Sequence, residues 1–169
     1  FTVVPQEKKI RFGLSAIKNV GANVVKAITD ERKANGSFRG LSDFLARINS
    51  KDLNKKSLES LTRAGVFDSL IERNQILSNM EDILEFNREH QRKKLEGQRN
   101  LFEGKINFSS EIRLASAAPA TKREKLEWEK ELLGFYLSDH PLNNHLGVIE
   151  RVKARPIAEA RKLKDENIK

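Results

Sequence analysis

The segment Ile17-Lys18-Asn19-Val20-Gly21 is the most informative part of this chain. It ends a short helix-forming stretch, Gly13 to Lys18, and precedes an amphipathic stretch from Ala22 to Asn35 that Gly36 should terminate. Gly21 is expected to supply a left-handed backbone angle and close backbone approach, and Asn19 also tolerates that angle. The pattern predicts two short helices joined by a tight turn, a helix–hairpin–helix.

Such a turn has a direct chemical use. The first amides of the second helix lack intrahelical partners and carry partial positive charge, so they can bind a DNA phosphate without reading base sequence. Val20 is expected to pack between the helices, and Lys18 and Lys26 to add phosphate contacts. The predicted DNA-binding residues are Lys18, Asn19, Val20, Gly21, Ala22, Asn23 and Lys26.

A second turn of this kind is predicted at Leu61-Thr62-Arg63-Ala64-Gly65-Val66-Phe67. Two such units usually pack as a pseudo-symmetric pair. Asp68 lies beside the second turn, where its charge would repel phosphate, so this unit is expected to be structural. The alternative is that both turns are plain helix–turn–helix corners without a DNA-binding role.

Length, charge and composition limit which kinds of protein and partner fit this sequence. The 169 residues suit one ordinary domain or two small ones, and a net charge of +8 favours a polyanionic partner. Residues 1–50 hold nine Lys or Arg against four Asp or Glu, so +5 of that charge lies there. Cysteine is absent and no apolar run approaches a membrane span, which predicts a cytoplasmic protein without a membrane partner. The first residue is not methionine, which suggests an excised fragment.

The rest of the chain is predicted to be helical, which makes the fold class all-α. Ser42 and Asn54 should cap two short helices. A long helix is expected from about Arg73 to Leu95, with the polar half from Asn87 to Lys94 projecting into solvent. Gly97 should end it and open a loop that reaches Ala120.

A further helix is expected after that loop. Thr121 and Glu124 fit a capping box at its start, and the helix should stop near Gly134. Its Trp128 is expected to be a core residue, and His140-Pro141 a structural turn. The three histidines lack the spacing of a metal site, so no metal is predicted on this chain.

A short linear motif, Gln98-Arg99-Asn100-Leu101-Phe102, lies in the Gly-flanked loop at about residues 97–104. Leaving two large apolar side chains in water costs roughly 1.5–3 kcal/mol each. The motif resembles the peptide that bacterial proteins insert into their sliding clamp, with Gln98 as the polar anchor and Leu101 and Phe102 as the apolar plugs. The alternative is that Leu101 and Phe102 fold back onto the core of this chain.

A family resemblance covers about residues 10–145. In their order and spacing, six segments resemble the alpha subunits of bacterial DNA polymerase III, the C-family replicative polymerases. These segments are Ile10 to Leu14, Ile17 to Gly21, Leu61 to Asp68, Trp128 to Glu131, Leu133 to Ser138 and His140 to Leu142. The resemblance implies the end of the fingers, a tandem helix–hairpin–helix unit and an internal clamp-binding peptide.

Function follows from the resemblance as an expectation. The parent chain would be a DNA-directed DNA polymerase using Mg²⁺, whereas this fragment would lack the catalytic palm and need no cofactor. Its partners would be duplex DNA, the sliding clamp (the beta subunit) and other holoenzyme subunits. The expected divisions are a DNA-binding unit at 1–70, a helical segment with the clamp loop at 71–150, and a basic tail at 151–169.

Two other functions remain open at this point. A lyase or glycosylase built on helix–hairpin–helix units would need a catalytic Lys or Asp beside a base-sized pocket, and the residues after Gly21 offer no such pair. A purely structural connector would contain the same helices without touching DNA.

Overall fold

The computed structural model describes residues 2–49, 51, 53–99, 111–155, 157 and 159, with the backbone alone for residues 2, 9 and 94–99. The chain divides into two compact units, Phe1–Tyr136 and Leu137–Lys169. The first unit contains residues on both sides of position 70. The functional divisions expected at residues 70 and 150 stay predictions.

A two-stranded ribbon precedes the helices. Strand β1, Thr2–Val4, pairs antiparallel with β2, Lys9–Arg11, and a 3-10 turn, Pro5–Glu7, connects them. Val3 lies opposite Ile10, and both side chains are largely exposed. The sequence analysis did not anticipate strand β2.

The first helical hairpin follows this ribbon. The predicted short helix at Gly13 to Lys18 is only a 3-10 turn, Leu14–Ala16. Helix α1 is Ala22–Asn35 and ends at Gly36, whose φ of 77° and ψ of −172° lie in a region that essentially only glycine adopts. Both predicted ends of α1 are therefore confirmed.

Helix α2, Leu41–Arg47, begins two residues earlier than a Ser42 cap would place it. Gly40 is its N-cap, and Ser42 lies inside the first turn, where its Oγ accepts a hydrogen bond from the Ile112 N–H at 3.2 Å. The predicted Ser42 cap is thus wrong, because this hydroxyl serves a distant backbone group. Helix α3, Lys55–Arg63, begins at Asn54, whose side chain accepts the amide of Ser57, as predicted.

The expected long helix is two helices. Helix α4 is Arg73–Ser78 and α5 is Met80–Arg99. The break lies at the buried Asn79, whose Nδ2 donates to the carbonyls of Gln75 and Ala115 and whose Oδ1 accepts the Ala115 N–H. Because Asn79 forms these hydrogen bonds with the distant backbone of Ala115, a non-helical geometry is favoured at Asn79. Helix α5 continues through Gly97, so the helix end predicted there is also wrong.

Only one face of the polar half of α5 projects into solvent as predicted, with Arg88, Glu89, Arg92 and Lys93 exposed, and the other face packs against the protein. Asn87 is buried and its Nδ2 donates to the carbonyls of Leu45 and Ile48 at 2.6 and 3.0 Å. Gln91 donates to the Ile48 carbonyl at 3.2 Å. These amides satisfy carbonyls at the C-terminal end of α2, which have no intrahelical partner.

An extended segment, residues 111–120, crosses the helices before α6, Lys122–Leu133. Its backbone is held by the contacts with Ser42 and Asn79 and by Glu72, whose Oε1 accepts the Ala120 N–H at 2.8 Å. The predicted capping box of Thr121 and Glu124 opens α6, and Gly134, with φ of 86°, ends it. These local predictions are confirmed.

One apolar core holds the first unit together. Phe44 lies near its centre and meets Phe38 and Phe67 edge to face, with ring centroids 5.1 and 5.0 Å apart. The buried core residues from the helices are Val24, Ile28, Leu41, Phe44, Leu45, Leu58, Leu61, Ile76, Met80, Ile83, Leu84 and Leu132. The predicted all-α class is confirmed, with the N-terminal ribbon as its sheet component.

The second unit contains a 3-10 turn, Pro141–His145, and helix α7, Leu146–Arg151. The Nδ1 of His140 accepts a hydrogen bond from the Leu142 N–H at 3.2 Å, which matches the structural turn expected at His140-Pro141. Within the described ranges, no helix is long and apolar enough to cross a membrane.

Candidate nucleic-acid interface

The turn between residues 17 and 21 is tight, but its left-handed residue is Asn19. Asn19 has φ of 66°, whereas Gly21 is extended, with φ of −73° and ψ of 158°. The role expected for Gly21 as the left-handed residue is therefore wrong. Gly21 is instead the N-cap of α1, and a Cβ built on it meets no atom within 4 Å. Its bare backbone faces open space, which permits close approach by a ligand.

Contacts on three sides hold this turn. Val20 is buried, as predicted, and its N–H donates to the Ile17 carbonyl at 3.3 Å. The Lys18 N–H donates to the Leu132 carbonyl at the end of α6, at 3.1 Å. The Asn19 Nδ2 donates to the Ser60 Oγ on α3, at 3.3 Å.

The N-terminal end of α1 is open to an anion. Gly21, Ala22 and Asn23 are all exposed. Among the described residues, no side chain caps this helix, and its first turn contains no Asp or Glu. Its amides therefore keep the partial positive charge that an unoccupied helix N-terminus carries.

The two predicted lysines differ in their surroundings. Lys18 is exposed within the turn. Lys26 lies one turn into α1 and forms an ion pair with Asp30 on the same helix. The hydrogen bond to Asp30 raises the pKa of Lys26, and the same contact lowers the pKa of Asp30. A phosphate would have to compete with Asp30 for Lys26, so Lys18 is the more available cation.

The second turn is filled by the protein itself. Gly65 has φ of 82°, and a Cβ built on it would lie 2.4 Å from Nη2 of Arg73. Arg73 is buried, and its guanidinium forms two hydrogen bonds to Asp68, at 2.9 and 2.7 Å. It also donates to the Arg63 carbonyl at 2.8 Å and to Glu129 of α6 at 3.2 Å. The Arg73 side chain therefore fills the space beside Gly65, whereas the corresponding space beside Gly21 is open.

The helix after the second turn is capped by a carboxylate. Glu72 Oε2 accepts the amides of Asn74 and Gln75 at 2.6 and 3.3 Å. Burial opposes ionisation of Glu72, but the N–H groups of Ala120, Asn74 and Gln75, together with Lys125, hold its pKa below the ordinary value. The first amides of α4 thus already bind an anion.

The structure also reveals residues that the sequence did not indicate. Ser60 contacts the first turn through its hydroxyl, and α6 contacts it through the Leu132 carbonyl. Trp128, expected in the core, is half-buried, with the Arg63 guanidinium 5.6 Å from its ring centroid. No sequence signal marks Ser60, because its partner lies 41 residues away.

Comparisons with known proteins agree with this geometry. The family model of the helix-hairpin-helix motif matches residues 1–76. The DNA polymerase III subunit alpha of Deinococcus radiodurans is 40% identical over 159 residues, which cover 92% of this chain and 12% of that protein. The subunit of Thermus aquaticus is 39% identical over 150 residues, 89% of this chain and 12% of the relative.

The chain belongs with the DNA polymerase III alpha subunits, as a homologue of one segment of them. The subunit of Neisseria meningitidis serogroup A agrees, with 34% identity over 94% of this chain and 14% of its own length. The resemblance drawn from the sequence is confirmed. The chain spans about one eighth of the length of these polymerase subunits, 12% in the first two cases.

The predicted clamp peptide of this polymerase segment falls mostly outside the described residues. The backbone of Gln98 and Arg99 forms the last turn of α5, where a loop was expected. Asn100, Leu101 and Phe102 lie outside the described part of the chain. Their role stays a prediction.

Among the residues that the structure describes, the donor groups do not fit a metal site. In the described part of the chain, no three His, Asp or Glu side chains are grouped to hold an ion. The Mg²⁺ that the resemblance implies therefore has no ligand set among these residues.

Proposed function

We propose that this polymerase segment binds duplex DNA independently of base sequence, through the turn at Lys18–Asn23, and that it carries the peptide that tethers the polymerase to its sliding clamp. The observation that carries the first part is the open N-terminal end of α1, which is uncapped by any described side chain and follows an exposed glycine. Amides in this arrangement bind phosphate oxygens, and such contacts carry no sequence information.

Charge supports the same proposal. Residues 1–50 carry nine Lys or Arg against four Asp or Glu. Lys18 is exposed in the turn itself, close to the amides of α1. Binding should therefore weaken with salt, with a log–log slope of about −0.9 for each phosphate contacted.

Replacing Ala22 with glutamate is expected to weaken duplex binding by about tenfold or more, an effect of roughly 1.4 kcal/mol. Ala22 is exposed in the first turn of α1, so a carboxylate there would occupy the free amides and repel phosphate. Fluorescence anisotropy with a labelled short duplex at low salt measures the affinity.

Ala34→Glu is the matched control for Ala22→Glu. It makes the same change in net charge at an exposed position near the opposite end of α1. Equal losses in the two variants would mean that binding depends on net charge alone, and the proposed hairpin contact would be wrong.

The proposed tether is Gln98-Arg99-Asn100-Leu101-Phe102. Gln98 would hydrogen-bond the rim of a clamp pocket, and Leu101 and Phe102 would fill it. A peptide of this size is expected to bind with micromolar affinity, about −8 kcal/mol. Two weak contacts on one chain raise the effective concentration of each other, so neither has to be tight.

The double variant Leu101→Ala/Phe102→Ala is expected to lose at least about tenfold in clamp affinity, because each side chain removes apolar contact area. Calorimetry against the sliding clamp measures this. Ile106→Ala/Phe108→Ala is the matched control, since it removes another apolar pair from the same stretch without touching the motif. Retained binding by the Leu101/Phe102 variant would exclude the tether.

The function of the whole protein is part of this proposal. Its parent would be a DNA-directed DNA polymerase of the bacterial cytoplasm, with Mg²⁺ held outside this segment and other holoenzyme subunits as partners. The second candidate is a structural connector that never touches DNA. The internally filled second turn, with Arg73 against Gly65, favours that candidate for at least half of the segment. Undetectable duplex binding at low salt by the unmutated chain would favour it for the whole.

A further inference from the structure

We propose that the second hairpin does not grip a phosphate, and that it holds the turn of the first hairpin in its DNA-binding geometry through the Asn19–Ser60 hydrogen bond and through α6. The proposal rests on the proposed DNA-binding function of the first hairpin. It assigns Asn19 and Ser60 as positioning residues.

The second hairpin has no vacant anion site of the kind that the first one offers. The carboxylate of Glu72 accepts the amides of Asn74 and Gln75, which are the groups that a phosphate would need. The guanidinium of Arg73 lies against Gly65 and is itself neutralised by Asp68. An incoming phosphate would have to displace the carboxylate of Glu72 and approach that of Asp68.

Helix α3 of the second hairpin supports the first turn directly. Ser60 is 4% exposed, and its hydroxyl accepts the Asn19 side-chain amide at 3.3 Å. Asn19 is the residue with positive φ, so this hydrogen bond acts at the point where the turn reverses direction. A glycine at position 19 would adopt the same backbone angle but could not make this contact.

Helix α6 forms a second link between the hairpins. Glu129 is fully buried and pairs with Arg73 beside the second turn. Three residues further along the same helix, the Leu132 carbonyl accepts the Lys18 amide of the first turn at 3.1 Å. The Glu129–Arg73 pair fixes α6 at the second hairpin. The position of α6 in turn sets where the Leu132 carbonyl meets the first turn.

A double-mutant cycle tests the positioning role. Ser60→Ala removes only the hydroxyl, and Asn19→Gly removes the amide but permits the left-handed angle. Each single variant of the 169-residue chain should bind the labelled duplex about threefold to tenfold more weakly, as expected for the loss of one neutral hydrogen bond. The double variant should lose no more than either single variant, because both remove the same contact.

Two further readouts separate positioning from folding. The thermal midpoint of Ser60→Ala should stay close to that of the unmutated chain, whereas amide exchange of Lys18 should become faster. Ser69→Glu should leave DNA affinity within about twofold, because a surface charge far from a phosphate contributes little. Ser69 is exposed two residues beyond the second turn, so this variant adds to the second hairpin the charge that Ala22→Glu adds to the first.

The outcomes distinguish this proposal from the one on which it rests. No binding by the unmutated chain would refute the DNA-binding function itself. With binding intact, a loss in Asn19→Gly but none in Ser60→Ala would mean that Asn19 acts on DNA alone, and the positioning role would be overturned. Additive losses in the double variant, or a strong loss in Ser69→Glu, would overturn it as well.

Discussion

Replacing Arg73 with methionine is expected to lower the free energy of unfolding by about 3–5 kcal/mol. Arg73 is 4% exposed, and it binds Asp68, the Arg63 carbonyl and Glu129. The variant leaves the fully buried carboxylate of Glu129 without its guanidinium partner. A buried charge without such a partner is costly, and methionine fills much of the volume without compensating it.

Urea unfolding followed by circular dichroism measures this change. Arg123→Met is the matched control, because Arg123 also pairs with a glutamate, Glu127, but both side chains are exposed, at 89% and 59%. Its effect should stay within about 0.5 kcal/mol. The double variant Arg73→Met/Glu129→Met should recover part of the loss. Equal effects of Arg73→Met and Arg123→Met would contradict the structural role of the buried pair.

Local signals were sufficient for the helices whose ends are set by their own residues. The start of α6 follows from Thr121 and Glu124, which satisfy each other's backbone groups within one turn. The ends of α1 and α6 follow from Gly36 and Gly134, which both adopt positive φ. At both ends of α6 the partners lie within a few residues, and the backbone angle of Gly36 is a property of that residue itself, so the sequence contains the whole signal.

Helix α5 shows where local patterns fail. A run of polar residues from Asn87 predicts a solvated helix, because polarity normally indicates exposure. In the structure, Asn87 lies 42 and 39 residues from its partners, the carbonyls of Leu45 and Ile48. The break at Asn79 has the same kind of cause, since Ala115 is 36 residues away. Such pairings depend on the tertiary fold and have no periodic signature.

The sequence predicted the position of the first turn but not its backbone geometry, and the DNA-binding role of its residues stays a prediction. The sequence indicated residues 18–23 through the sequence Asn-Val-Gly, and the structure places these residues in an exposed turn at the start of α1. It assigned the left-handed angle to Gly21, whereas Asn19 adopts it. Asparagine is stabilised there by Ser60, a contact that no spacing rule could reveal.

Gly65→Ala is expected to lower the free energy of unfolding by roughly 2–5 kcal/mol, the sum of two costs. A residue with a Cβ at φ of 82° costs about 1–2 kcal/mol. Overpacking against fixed atoms adds about 1–3 kcal/mol. The new Cβ would lie 2.4 Å from Arg73 Nη2 and 2.9 Å from Asp68 Oδ2, and the bonds between these two side chains prevent an easy shift.

Gly36→Ala separates the two costs of Gly65→Ala. Gly36 has φ of 77°, but a Cβ on it meets no atom within 4 Å, so only a backbone cost of about 1–3 kcal/mol should appear. Placing Gly65→Ala in the Arg73→Met background should reduce its cost toward that of Gly36→Ala, because the clashing guanidinium is gone. If the cost of Gly65→Ala is undiminished in that background, the backbone angle alone makes glycine necessary at position 65. The position of Arg73 would then play no part in that requirement.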